Sequence, residues 1–130
     1  MLDILHVACF PYPSVQGSQV YVRGLLKALA GRGHRVRLLC YQHGSELFDK
    51  EYEVIRVRGL AGYNNMRAGP DLYKPILDVF LLKKLLKMNA DVIHVHNYEA
   101  PIAGILRQFR GRIPMVYTAH NFMGEELESY

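Results

Sequence analysis

The sequence predicts an α/β protein in which helices cover both faces of an open, parallel β-sheet. Apolar runs of strand length alternate along the chain with longer segments of helical periodicity. The first run, residues 2–10, is almost continuously apolar, which is typical of a strand buried on both faces. Glycine and proline stand between most of these segments, as they do at turns. Together these observations favour an open parallel sheet with helices on both faces.

Local patterns place each element along the chain. The predicted strands are residues 2–10, 36–41, 53–57, 91–96 and 114–119, and the predicted helices are residues 18–31, 71–88 and 100–109. The first helix ends at Gly31 and Gly33, which are good helix stops. Strand 53–57 alternates apolar and charged residues, as an edge strand does.

Each of the two longer helices carries an apolar stripe that we expect to face the core. In the first helix the stripe comprises Val20, Leu25, Leu26, Leu29 and Ala30. In the second it comprises Leu72, Ile76, Val79, Phe80, Leu82, Leu85 and Leu86. Asp71 is expected to cap the second helix, whose lysines gather near its carboxyl end and match the helix dipole.

Length and composition indicate one ordinary globular domain. The chain has 130 residues, a formal net charge of +4 and 22% charged residues. Its densest basic stretch, residues 23–37, contains no acid. A solvated helix face explains such a stretch, and contact with an anionic membrane surface is the alternative. No basic pattern specific to nucleic acid is evident, so no nucleic-acid partner is expected.

Cys9 and Cys40 fall at or near the ends of predicted strands, where buried free cysteines are common. Their spacing gives neither a zinc finger nor a disulfide framework. The amino terminus lacks the pattern of a signal peptide, and the apolar stretch 75–88 is interrupted by Asp78 and several lysines. We therefore expect a cytoplasmic protein.

Several familiar catalytic and cofactor motifs are missing from the sequence. It contains no Walker A loop, no GxGxxG dinucleotide fingerprint and no GxSxG nucleophile elbow. Gly17-Ser18, at the predicted start of the first helix, is the best anion-binding candidate. Glycine allows close approach of a ligand, and the first N–H groups of a helix are unpaired. The alternative is that Gly17 is only a turn residue.

Histidine and asparagine residues follow two of the later apolar runs. His94 and His96 alternate along one strand and therefore share a face, so they are either buried hydrogen-bonding residues or a pair of metal ligands. No carboxylate partner for a metal is obvious, and no metal or cofactor is expected. His120 and Asn121 follow the last strand, at the edge where open parallel sheets place their sites. His6 and His34 are expected to be structural.

Taken together, these motifs resemble the amino-terminal half of family 4 glycosyltransferases, the retaining sugar-nucleotide enzymes of the GT-B fold. The resemblance covers essentially the whole chain and depends on the order of its motifs. These are the proline-rich turn leading to Gly17-Ser18, the Arg-Gly-His-x-Val segment at residues 32–36, the Asp-x-x-His-x-His segment at 91–96, the Thr-x-His segment at 118–120 and the acidic segment at 123–127.

The resemblance implies a Rossmann-like domain, one half of a GT-B fold, that spans residues 1–130. It implies that Gly17 and Ser18 approach the donor phosphate and sugar, and that His120 is the catalytic residue contacting the transferred sugar. The acceptor would lie against Asn97, Tyr98, Glu99 and Asn121. The partners implied are a nucleotide-sugar donor and an acceptor of unassigned identity.

Two departures from the family pattern matter. Gln16 replaces the first of the two glycines that the family often has in the turn. The carboxyl-terminal nucleotide-sugar-binding domain is also missing, so we expect a truncated chain that is inactive alone and that pairs with a copy of itself through its open cleft. The alternative is a stand-alone flavodoxin-like binding or regulatory module without catalysis. A third hypothesis is an enzyme that uses His94 and His96 as metal ligands.

Overall fold

In the computed structural model the described residues are 1–8, 17–41, 50–57, 74–96, 105 and 111–118. They form five strands and two helices in the order β1(Asp3–Ala8), α1(Gly17–Gly31), β2(Arg35–Tyr41), β3(Glu53–Val57), α2(Lys74–Leu85), β4(Val92–His96) and β5(Met115–Thr118). Every strand lies within one of the predicted strands, to within a residue at its ends. Ile105 is helical, and the rest of the predicted helix 100–109 lies outside the described residues.

The five strands form one sheet in the order β3-β2-β1-β4-β5, and each neighbouring pair is parallel. β1 lies at the centre, with β2 and β3 on one side and β4 and β5 on the other. The strand order therefore reverses between β1 and β4, which is the switch point of the sheet. The open parallel sheet predicted from the sequence is confirmed, and so is the edge position of β3.

Helix α1 packs on one face of the sheet. Its buried residues Val22 and Leu26 join a core cluster with side chains of β1 and β2. The predicted stripe is correct at Leu26 but wrong at Val20, which is 56% exposed. α1 ends in a turn at Gly33, whose φ of +87° is a left-handed conformation that favours glycine.

Helix α2 covers the opposite face of the sheet, so helices lie on both faces as predicted. Its buried residues are Leu77, Leu81 and Leu85, which pack against side chains of β1, β2, β3 and β4. The predicted stripe is wrong at Ile76 and Val79, which are 43% and 50% exposed. Apolar residues occur nearly all round this helix, so periodicity alone does not distinguish its buried face.

Polar contacts fix the amino ends of the central strands. Arg37 is almost fully buried, and its Nε donates a hydrogen bond to Oδ1 of Asp3 at 3.1 Å. The same guanidinium also donates to the carbonyl oxygen of Asn89, in the segment that leads into β4. The backbone N–H of Asp3 donates to Oδ2 of Asp91 at 2.8 Å. These contacts connect β1, β2 and the start of β4 at the amino edge of the sheet.

Among the described residues, no helix is both long enough and apolar enough to cross a membrane.

Candidate functional site

The carboxyl ends of the strands form one edge of the sheet, which we call the carboxyl edge. β1, β4 and β5 end there at Ala8, His96 and Thr118. Only three residues separate the end of α1 from the start of β2, so the carboxyl end of α1 lies at the amino edge. Its first residue, Gly17, therefore lies on the side of the carboxyl edge. The described structure thus brings the start of a helix and the ends of three strands to the same side of the domain, as ligand-binding α/β folds do.

Three histidines lie together next to this edge. In the parallel register, His6 of β1 is opposite His94 of β4, and Ala8 is opposite His96. Because alternate residues of a strand share a face, all three imidazoles point to the face that α1 covers. We call His6, His94 and His96 the histidine cluster. The cluster spans the switch point between β1 and β4.

The rings of the histidine cluster are close and nearly parallel. The centroids of His94 and His96 lie 4.1 Å apart with an angle of 22° between the rings. Those of His6 and His96 lie 5.2 Å apart at 15°, and those of His6 and His94 lie 5.1 Å apart at 35°. His6 and His96 are fully buried, whereas His94 is half-buried.

One hydrogen bond joins His6 to His96. Their Nδ1 and Nε2 atoms are 2.9 Å apart, so one of the two rings donates its N–H to the other. The remaining nitrogen of His6, Nε2, is buried without a hydrogen-bond partner among the described residues. A buried N–H without a hydrogen-bond partner is rarer in proteins than a buried acceptor without one. We therefore assign the proton of His6 to Nδ1, which donates to His96, and the free lone pair to Nε2.

Burial controls the protonation of His6. It lowers the pKa of His6 from 6.5 to about 3, mainly because burial disfavours the charged imidazolium, and the charge of a protonated His94 lowers this pKa further. At neutral pH His6 is therefore an uncharged imidazole, the form that accepts a hydrogen bond or binds a metal ion.

A second contact extends the cluster to β5. His94 Nε2 lies 2.7 Å from the hydroxyl oxygen of Thr118, the last residue of β5. The hydroxyl acts as donor or acceptor according to the tautomer of His94. Polar contacts therefore run from β1 through β4 to β5 along the carboxyl edge.

The structure locates only part of the predicted site. Gly17 and Ser18 form the first turn of α1, where the backbone N–H groups have no partner within the helix. The other predicted site residues lie outside the described residues: Asn97, Tyr98, Glu99, His120 and Asn121. Asn97 directly follows β4, and His120 comes two residues after the end of β5.

His6, which the sequence predicts to be structural, is fully buried and lies against His94 and His96. Its place in the cluster depends on the pairing of β1 with β4, two strands that are separated by most of the chain. The sequence signal that identifies it is its position within the first strand, but this becomes informative only once the strand order is known. Thr118 was identified only as part of the Thr-x-His segment, without a role of its own.

An open parallel sheet with helices on both faces and polar groups at its carboxyl edge defines a Rossmann-like α/β domain. Residues 15–129 match the model of Glycosyltransferase Family 4. Because this match spans nearly the whole chain, the protein belongs to glycosyltransferase family 4. None of the curated proteins compared with the chain matches it.

Among solved structures, the chain is similar to sucrose-phosphate synthase from Thermosynechococcus elongatus. The match has a TM-score of 0.65 and 17% sequence identity, and it covers 91% of this chain. It covers 33% of that enzyme, so this chain spans about a third of the length of the enzyme it resembles. At this identity the likeness demonstrates a shared fold.

Proposed function

We propose that this chain is the acceptor-side domain of a retaining glycosyltransferase, which transfers a sugar from a nucleotide-sugar donor to an acceptor. Family membership supports glycosyl transfer. The observation that carries the proposal is the position of Gly17 as the first residue of α1, next to the carboxyl edge.

The first turn of α1 is suited to a phosphate group. Its N–H groups are unpaired within the helix, and the helix dipole favours an anion at this end. Gly17 has no side chain to hinder the approach of a diphosphate, and Ser18 adds a hydroxyl. The first turn of α1 contains no acidic residue that would repel the ligand. In this proposal Gly17 and Ser18 bind the phosphate and sugar of the donor.

The remaining roles follow the order of the strands. His120, two residues beyond β5, contacts the transferred sugar. Asn97, Tyr98, Glu99 and Asn121 follow β4 and β5 and line the acceptor pocket. This arrangement places donor and acceptor together along one edge, so the reacting atoms meet without diffusion between separate sites.

The N–H groups in the first turn of α1 also stabilise the leaving group of the transfer reaction. When the bond between sugar and phosphate breaks, negative charge develops on the departing nucleoside diphosphate. Oriented backbone N–H groups stabilise this charge without reorganisation, and removing one such donor typically costs about 2.7–4 kcal/mol. The diphosphate then needs no metal ion. The nucleotide itself is bound by a second domain, so this chain alone does not catalyse transfer.

Kinetic analysis of the enzyme containing this domain tests the proposal. Purified protein is incubated with a panel of nucleotide sugars and acceptors, and the released nucleoside diphosphate is measured. NMR of the product reports whether the anomeric configuration is retained. Gly17→Val is compared with Gly24→Val, a control in the same helix where an added Cβ meets nothing within 4 Å.

We expect Gly17→Val and His120→Ala each to reduce kcat/KM by at least about 100-fold, the scale of losing an electrostatic contact to the transition state. Gly24→Val is expected to retain normal rates. Normal transfer by Gly17→Val would refute the assigned donor site. Absence of transfer with every donor, together with tight binding of a nucleotide or flavin to residues 1–130 alone, would refute the proposed function.

A further inference from the structure

We infer that the histidine cluster, His6, His94 and His96, is a binding site for a zinc ion. One ring nitrogen from each histidine lies within 4.8 Å of the other two. The three rings come from two adjacent strands whose backbones are fixed by parallel pairing. The inference does not depend on the proposed function, because the donor phosphate is assigned to the start of α1.

The chemistry of the donor atoms selects the ion. Imidazole nitrogen suits Zn²⁺ and the neighbouring divalent transition metals, whereas Mg²⁺ and Ca²⁺ require oxygen ligands. Three histidines form a known zinc ligand set and leave a fourth coordination position for water or another ligand. Zn²⁺ is the ion chosen because it binds imidazole nitrogen readily and takes four ligands in a tetrahedral site.

His6 supplies the observation that points to a ligand. Its Nε2 is fully buried and has no hydrogen-bond partner among the described residues. Buried polar atoms are nearly always satisfied, so an orphaned nitrogen within a group of imidazoles calls for a partner. A cation bound in the cluster supplies the missing partner of His6, either by binding Nε2 directly or by allowing the His6 ring to rotate.

Only the rings need to move when the ion binds. A metal lies in the plane of each ligating imidazole, whereas two pairs of the present rings are stacked, at 15° and 22°, and the third is tilted at 35°. With Zn–N bonds of about 2.0–2.1 Å, tetrahedral ligands lie roughly 3.4 Å apart, so the nitrogens must close from their present span. Rotation of the side chains about their own bonds achieves this, while the register of β1 and β4 keeps their Cα atoms in place.

A zinc ion here adds a further link between β1 and β4 across the switch point, beside the hydrogen bonds of the sheet. From the sequence alone no metal is expected, because no carboxylate partner for His94 and His96 is obvious. The fold brings His6 to them from a strand near the other end of the chain.

Metal binding is measured directly on the purified, untagged protein. The protein is stripped with a chelator, dialysed and titrated with Zn²⁺ by calorimetry, and with Co²⁺ by visible absorption, where tetrahedral nitrogen ligation gives intense bands. X-ray absorption at the zinc edge then counts the imidazole ligands in the unmodified protein. This last measurement needs no variant and stays informative even if substitutions in the core prevent folding.

Matched variants assign the ligands. His94→Gln is the primary variant because His94 is half-buried and therefore the most tolerant position of the cluster. His34→Gln is the control, since His34 accepts a hydrogen bond from the N–H of Leu2 at the amino edge. Circular dichroism verifies that each variant is folded.

We expect one zinc ion per chain, three imidazole ligands, and affinity at least about tenfold weaker in His94→Gln with no change in His34→Gln. Three outcomes would each overturn the inference: no stoichiometric binding, fewer than two imidazoles in the absorption spectrum, or equal affinity of His94→Gln and the unmodified protein. If glycosyl transfer persists after the metal is removed by a chelator, the proposed function stands whether or not the zinc site exists.

Discussion

His6 Nδ1 and His96 Nε2 lie 2.9 Å apart, although the two residues are 90 positions apart in the sequence. The contact exists because β1 and β4 are neighbours at the centre of the sheet and because both rings point to the face beneath α1. It joins the two halves of the sheet next to the edge where the candidate site lies.

Acid is expected to destabilise the metal-free protein through His6. The pKa of His6 is lowered to about 3 in the folded protein, against an ordinary value of 6.5. Between pH 6.5 and 3 the unfolded chain therefore binds a proton at His6 that the folded protein does not bind. The free energy of unfolding has its full value above pH 6.5 and falls as the pH drops towards 3. At pH 4 the loss is about 3 kcal/mol, from about 1.4 kcal/mol per pH unit.

Urea unfolding between pH 4 and 8, with a chelator present throughout, measures this loss. His6→Asn is the informative variant, because its amide still donates to His96 but does not titrate in this range. Its free energy of unfolding is expected to vary less with pH than that of the unmodified protein. An identical pH dependence in both would show that other groups cause the acid sensitivity.

Removal of the Thr118 hydroxyl is expected to weaken the attachment of β5. Thr118→Val keeps the shape of the side chain but deletes the 2.7 Å hydrogen bond to His94 Nε2. We expect the free energy of unfolding to fall by about 0.5–1.5 kcal/mol, as for a typical hydrogen bond. Thr118→Ser, which retains the hydroxyl, is expected to lose less. If the valine variant is as stable as the serine variant, the hydrogen bond does not stabilise the fold.

Two arginines that pair with the same carboxylate are expected to differ in their importance. Arg37 is 10% exposed and Arg35 is 58% exposed, and each lies within 3.1 Å of an oxygen of Asp3. Arg37→Met leaves the Asp3 carboxylate and the Asn89 carbonyl without their buried donor, and should cost about 2–4 kcal/mol. Arg35→Met removes an exposed ion pair and should cost less than about 1 kcal/mol.

Denaturant unfolding of both variants at pH 7 tests this contrast. Arg35→Met serves as the matched control, because it carries the same substitution two residues away on the same strand. Added salt should reduce the small effect at Arg35 more than the larger one at Arg37, since solvent screens exposed charges more strongly. Equal costs at the two positions would contradict the assigned role of burial.

Cys40 is expected to be inert in the folded protein. It is a free, fully buried cysteine, and burial raises the pKa of its thiol from 9.0 to about 12. In a Cys9→Ser background, alkylation by iodoacetamide at pH 8 should therefore occur only after unfolding. Because the unfolded chain releases the thiol proton first, stability should fall as the pH rises from 9 towards 12. Rapid alkylation of the native protein would show that the reagent reaches the Cys40 thiol in the folded state.

The strands were predictable because their signals are local. Apolar runs between turn residues located β1 to β5, and the alternation of charged and apolar residues identified β3 as an edge strand. The buried face of α2 was not predictable in this way. Leu77, Leu81 and Leu85 face the sheet, while Ile76 and Val79, equally apolar, face outwards. Which leucines are buried depends on how the helix is rotated against the strands, and tertiary packing sets that rotation.

The sequence by itself determined the fold class, the start of α1 at Gly17-Ser18 and the shared face of His94 and His96, because each depends on neighbours within a few positions along the chain. Only the tertiary structure decided that His6 joins those two histidines and that His94 reaches Thr118. These contacts depend on which strands are adjacent, and strand order is set by the packing of the whole sheet rather than by any local pattern.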